Sequence, residues 1–260
     1  MDLALAIEAN LAAWILAKAV CLDDVEMHLD GDASWIFTRG AAPENTVVQA
    51  RFTEQNADAR VFAILDYHRK HKAACNWITG PMSQPASLGD ALRRAGFKCM
   101  IHCTGMGCDL RAAPATVPMP RGVQIAGSDD WPSFEPLTTE RRRRAQTMRD
   151  GLLAREPRCV WHFGAVLGRQ VIGRTTLYIG AGVAGIYDVE VLKHARYRGI
   201  GTALVHAALR KAAANGHESA VLAATGAGCG VYRRLGFEEL TKISFWRYGK
   251  MRQLAIPDSQ

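Results

Sequence analysis

The chain has 260 residues, long enough to bury one large core or two of ordinary domain size. Its apolar content of 48%, charged content of 22% and 24 glycines describe a globular chain and exclude a collagen-like or disordered one. The formal net charge of +7 raises the question of nucleic acid, but the densest basic run, Arg141 to Arg144, falls in a helical segment that spreads its charge around a solvated face. With no aromatic–basic interleaving, recognition-helix pattern or zinc-finger spacing, no nucleic-acid partner is expected.

The first element is a helix over 3–20. Leu3, Ile7, Leu11, Trp14 and Ile15 recur at helical spacing, and Glu8, Asn10 and Lys18 interrupt the apolar run. The segment lacks a basic leader and a small-residue cleavage site, and it is too short and polar to span a bilayer, so a core helix and no membrane partner are expected. Strands are predicted at 33–39 and 46–53, a helix at 58–71, a strand at 75–79 and a turn-rich stretch at 80–85. A short helix over 88–95 closes on Gly96-Phe97, and two strands follow, 98–104 and 105–110. The seven cysteines form no C-x-x-C pair and have an odd count, which argues against a disulfide framework. Cys99, Cys103, Cys108 and His102 cluster in sequence, but their spacing suits buried free thiols better than a metal site, so no metal is expected.

Three prolines in a small-residue run make 113–120 a linker between a first half, 1–112, and a second, 121–260. The second half opens with a strand at 121–126 and helices up to about 153. Strands at 159–167 and 170–179 then turn at Gly168-Arg169. A further strand, YDVEV from Tyr187 to Val191, runs into Arg196-Tyr197-Arg198-Gly199-Ile200-Gly201-Thr202 and directly into a helix striped by Leu204, Val205, Ala208, Leu209 and Ala212. Glycines at such a junction let the chain turn with positive φ and approach a ligand closely, and the helix behind them offers unpaired amides and a positive dipole end. This is a pocket for a pyrophosphate. A strand at 219–224, a glycine-broken segment, a short helix carrying Tyr232 and a strand at 243–248 complete the chain. The segments ending in Gly96-Phe97 and Gly236-Phe237 echo one another as a weak internal repeat; the first half has no R-x-x-G-x-G.

In this order the elements resemble the GNAT acyl-CoA N-acetyltransferases, whose signature V-x-P-x-x-[QR]-x-x-G-x-[GA] stands here as VLKHARYRGIG from Val191 to Gly201, with Y-x-x-x-G-F following from Tyr232 to Phe237. Lys193 replaces the usual proline, and the resemblance covers roughly 121–248. It also points to a bacterial tandem subgroup in which a degenerate GNAT-like half precedes the working one. The resemblance implies an α+β fold of two GNAT-like domains, each a twisted mixed sheet flanked by helices, with one strand splayed from its neighbour to admit the pantetheine arm. It implies acetyl-CoA as cosubstrate, with Val189, Val191, Arg196, Tyr197, Arg198, Gly199, Ile200, Gly201 and Thr202 around it, the amide of Val191 on the thioester carbonyl and Tyr232 as proton donor to the leaving thiolate. Asp188 and Glu190 lie two apart, so an extended strand would put both acids on one wall, opposite Val189 and Val191. Asp188 is the favoured general base; Glu190 is the alternate or a binder of the substrate ammonium. His194 and His206 have no evident route to the amine and stay outside the site. The expected activity is acetyl transfer to a primary amine of a small molecule by a cytoplasmic monomer or homodimer. A peptide or protein amine, or a silent coenzyme A-binding sensor, is the alternative.

Overall fold

The helix predicted at the start of the chain forms as α1 (Leu3–Ala19), capped by the Asp2 carboxylate, which accepts from the amide of Ala4 at 2.9 Å. The computed structural model describes residues 1–38, 45–128 and 138–249. The remaining elements of the first half are β1 (Val25–Leu29), β2 (Ser34–Thr38), β3 (Thr46–Val48), α2 (Ala57–Lys70), β4 (Cys75–Thr79), α3 (Leu88–Arg94) and β5 (Lys98–Asp109). The second half supplies β6 (Val123–Ser128), α4 (Thr139–Leu153), β7 (Val160–Leu167), β8 (Gln170–Gly180), β9 (Val183–Val191), α5 (Ile200–Ala214), β10 (Ser219–Ala224), α6 (Cys229–Arg233) and β11 (Glu238–Tyr248). Residue 39 of the second predicted element, the stretch before α4 and the end of the chain lie outside the described residues.

All eleven strands join one mixed sheet in the order β1-β2-β3-β4-β11-β5-β10-β9-β8-β7-β6, flanked by helices, which is the α+β class expected. Two strand pairs are parallel, β3 with β4 and β9 with β10, and each is bridged by a helix, α2 and α5. The first half thus repeats the second: β3-α2-β4-α3-β5 matches β9-α5-β10-α6-β11. The final strands are exchanged. β5 pairs antiparallel with β10, and β11 pairs antiparallel with β4, while β5 and β11 pair with each other at the centre.

Three expectations differ from the structure. The strand predicted over 46–53 stops at Val48, because Gln49 adopts φ +57 and turns the chain. The two strands predicted over 98–110 are the single strand β5; Gly105 does not break it but makes room for Thr241, whose Cγ2 would lie 2.6 Å from a Cβ there. The strand β1 has no counterpart in the sequence reading.

The core is layered. α2 and α3 pack on Trp77 and Trp246 on one face of the sheet, and α5 packs beside Leu177, Ile186 and Leu222. On the opposite face α1 lies over Ile78, Val183, Val221 and Ile243, strands from both halves.

Candidate active site

The expected splay is present. β9 and β10 pair only at Ala184↔Ala220 and Gly185↔Val221, and beyond Gly185 β9 pairs with β8 alone. Where β9 leaves its parallel neighbour it also bulges. Thr176 faces Tyr187 and Arg174 faces Glu190, so Asp188 and Val189 together oppose the one residue Thr175. Asp188 takes φ +53, a left-handed conformation that aspartate tolerates better than most side chains, and the Thr175 hydroxyl donates to the Tyr187 carbonyl at 3.1 Å.

The bulge corrects one sequence expectation. Ile186 and Val189, three apart, both pack on the α5 side, while Tyr187 between them packs under α1, its ring stacked 5.4 Å from that of Trp14. Strict alternation is therefore lost at Asp188, and the rule that would set Asp188 and Glu190 on one wall does not hold across it. The two acids end in different surroundings. Asp188 is exposed; the Glu190 carboxylate accepts from Arg174 Nη2 at 2.7 Å in a half-buried ion pair.

Below the bulge, Val191 packs on Ile200 and Leu204, and its carbonyl accepts from Arg196 Nε at 3.0 Å. Residues 193–195 form a single 3-10 turn. Tyr197 and Gly199 then adopt φ +61 and +79, left-handed positions that fold the backbone amides into a concave turn. Tyr197 is 92% exposed, and Arg198 and Gly199 are exposed beside it. The first turn-to-turn bond of α5 is donated by Ala203 to the Gly199 carbonyl at 3.0 Å, so the amides of Ile200, Gly201 and Thr202 precede it with no acceptor within the helix. A Cβ at Gly199 would meet only Pro120 Cγ at 3.9 Å and one at Gly201 only Val191 Cγ2 at 3.9 Å, so both glycines leave open space on the loop. No acidic side chain lies in the first turn. Free amides, a dipole end and adjacent arginines fit a pyrophosphate.

Tyr232, on α6, packs edge-on to Phe237 with ring centroids 5.9 Å apart. Burial pushes its phenol up to about 12, with Cys229 adding to the effect, so it holds its proton at neutral pH. Tyr187 is raised further, by burial first and then by Tyr178 and Asp188, and its hydroxyl donates to Asn10 Oδ1 at 2.5 Å. The two histidines set aside stay outside: His194 is exposed, and His206 Nε2 lies 2.9 Å from the Pro114 carbonyl in the linker. Among the cysteines, burial raises Cys103 to about 11 and Cys108 to about 12, as expected of thiols packed in a core.

Sequence reasoning passed over Asn10. This residue of α1 is fully buried, and its amide group donates to the carbonyls of Gly180 and Val183 at 2.7 and 3.2 Å, the two residues that close the β8–β9 hairpin. With the Tyr187 contact it ties the first half to the strand that carries the bulge. The signal was an amide three residues beyond Ile7 on the apolar stripe of α1, a place where a polar side chain needs a buried partner.

The splayed parallel pair, the bulge and the amide-lined turn into α5 sit in a mixed sheet flanked by helices, the fold of GNAT N-acetyltransferases of known structure. Residues 125–237 match the model of the acetyltransferase (GNAT) family. Among solved structures, it is similar to a GCN5-related N-acetyltransferase from Kribbella flavida, at 15% identity and a TM-score of 0.69, over 94% of this chain and 96% of that one. A tandem GNAT protein from the clavulanic acid biosynthesis pathway aligns with a TM-score of 0.64 at 17% identity, covering 95% and 94% of the two chains. A GCN5-related N-acetyltransferase from Sphaerobacter thermophilus gives 0.59 at 18% identity, over 95% and 91%. Among curated proteins no sequence matches the chain. These identities establish a shared fold over both halves.

Proposed function

We propose that residues 121–260 are the catalytic unit of an N-acetyltransferase that moves the acetyl group of acetyl-CoA to a primary amine of a small molecule. Residues 1–112 would be a GNAT-like half without a coenzyme loop, joined through 113–120. The observation that carries this reading is continuity. β9 loses its pairing with β10 beyond Gly185 and leads straight into the amide-lined turn before α5, which would set a pantetheine arm between the strands and its pyrophosphate on the amides.

Acetyl-CoA, when bound, supplies the activated acyl group. In this reading the amides of Arg196 to Thr202 and the Arg196 and Arg198 side chains hold its phosphates, and Val189 and Val191 line the arm, the Val191 amide polarising the carbonyl. Asp188, exposed on the bulge, accepts the proton of the attacking amine directly or through water. The pairing of Glu190 with Arg174 favours Asp188 over Glu190 as base. The Tyr232 phenol, held protonated by burial, returns a proton to the departing sulfur. A bounded, small-molecule acceptor site is supported by α1 and α4, which lie over β7–β9 through Trp14, Leu152, Tyr178 and Tyr187. The free thiols suit the cytoplasm, where acetyl-CoA is found.

Release of free thiol from acetyl-CoA across a panel of small amines, with mass spectrometry of the product, tests the reading. Turnover only on peptide amines would replace the acceptor class. Tight coenzyme binding with no thiol release on any amine would make the protein a coenzyme A-binding sensor.

A further inference from the structure

A second opening lies in the first half, at the C-terminal end of β4. A cavity of about 350 Å³ sits between the loop after β4, α3 and the paired strands β5 and β11. That is within the roughly 300–1,000 Å³ of small-molecule sites. In the internal repeat this position corresponds to the end of β10 beside α6, yet its lining has a chemistry of its own.

The floor is the buried Trp246, whose Nε1 donates to Thr79 Oγ1 at 2.9 Å. Thr79 therefore accepts there and keeps its own hydroxyl proton to donate into the cavity. Gly89 lets α3 close on this ring; a Cβ there would stand 3.2 Å from it. Ser244 supplies a second hydroxyl, 2.8 Å from His102 Nδ1. Two cations stand at the rim: Lys242, exposed, and Arg93, whose guanidinium lies 5.4 Å from the Trp246 ring centroid. The Arg93 partner, Asp90, is an exposed (i, i+3) pair of the kind that contributes little and yields to a better anion. The buried carboxylate of Glu8 lies behind the lining residues Gly80 and Ser83 and is already engaged: it accepts from the Met82 amide at 2.6 Å and from the Ser83 hydroxyl at 2.7 Å.

We propose that this cavity binds a small organic anion, a carboxylate or a phosphate monoester, with its charge between Arg93 and Lys242, a hydrogen bond from Thr79 and its body over Trp246. Two rim cations repel an ammonium, so the cavity is not the acceptor-amine pocket. It is also separate from the turn before α5, which lies across β10 in the other half.

Calorimetry of the full-length protein with benzoate, phenyl phosphate, benzylamine and benzamide tests this. Binding of at least one anion is expected, with the two anions distinguishing carboxylate from phosphate. Arg93→Gln and Lys242→Gln should each weaken it at least tenfold, and Gly199→Val should leave it unchanged. Absence of binding by both anions overturns the proposal. So does benzylamine or benzamide binding as tightly as the anions, which would mean that the ring and not the charge is read. Binding lost in Gly199→Val but kept in the rim variants would put the anion in the turn before α5. That result would also overturn the proposal, while leaving the acetyltransferase reading intact.

Discussion

Asn10→Ala is expected to destabilise the protein far more than an ordinary helix substitution, although alanine is the better helix former. The wild-type side chain satisfies three groups at once: the carbonyls of Gly180 and Val183 and the phenol of Tyr187. Each buried polar group left without its partner costs ~1–3 kcal/mol. Taking the lower half of that range for three groups gives a loss of about 3–6 kcal/mol, a large share of the ~5–15 kcal/mol that holds a typical domain together. Urea unfolding should show a lower midpoint at unchanged slope. Tyr187→Phe removes one bond and should cost about 1–2 kcal/mol, and the double variant should be less destabilised than the sum, with a coupling of ~0.5–3 kcal/mol. Asn10→Asp keeps an acceptor for the phenol but points a carboxylate at two carbonyl oxygens, so it should be at least as damaging as alanine at neutral pH. A loss below about 1 kcal/mol for Asn10→Ala, or strict additivity with Tyr187→Phe, would refute the idea that this side chain braces the bulged strand.

Gly199→Val puts a β-branched residue at φ +79, where an L side chain costs roughly 1–2 kcal/mol although the Cβ itself meets open space. Calorimetry should show acetyl-CoA affinity falling about tenfold or more, alongside the modest fall in unfolding midpoint that this strain implies; unchanged affinity would move the phosphate site elsewhere. Asp188→Asn keeps a side chain that tolerates φ +53, so the bulge should survive while turnover drops by ~10²–10⁴-fold at unchanged acetyl-CoA affinity. Near-normal turnover would reassign the base. Tyr232→Phe should lower turnover, and it should also change alkaline stability. The folded phenol holds its proton up to about 12 and the unfolded one only to 10.0, so this group's stabilisation is complete below pH 10 and is lost as pH rises toward 12. About 3 kcal/mol is at stake over those two units. Overlaying wild-type and variant unfolding profiles between pH 10 and 12 would sink that account.

The parts of the fold that local pattern dictates were legible. α1, α2 and α5 carry apolar stripes at helical period, β8 and β7 meet at a glycine turn, and in the turn before α5 glycine announced the positive φ of Gly199, though not that of Tyr197. What sequence could not supply was anything set by partners distant in the chain. β1 is an exception, a signal that was present and passed over: VEMHL alternates apolar and polar residues, and Val25–Leu29 pairs with the next strand, β2. Gly105 reads as a break when only its neighbours in sequence are known, and as a close-packing position once Thr241 is beside it. The bulge at Asp188 is the sharpest case. It depends on the register between β8 and β9, which no spacing within YDVEV reveals, and it decides which way two acids point.

The strand exchange ties the first half to the strand that carries the bulge. In the first half β3 and β4 pair at Thr46↔Asn76 and Val47↔Trp77, and β3 ends at Val48. Its crossover helix differs where it matters: α2 begins with Asp58 in its first turn, which places a negative charge where an anion would meet the helix dipole. The corresponding turn of α5 has no acid. Yet the first half gives β5 to the edge of β10 and lays α1 across β9, while β11 returns to pair with β4. Neither half closes its own sheet. Separating the two halves would expose the edges of β10 and β4 and remove Asn10 from Tyr187, so the geometry at Asp188 is a property of both halves acting as one folding unit.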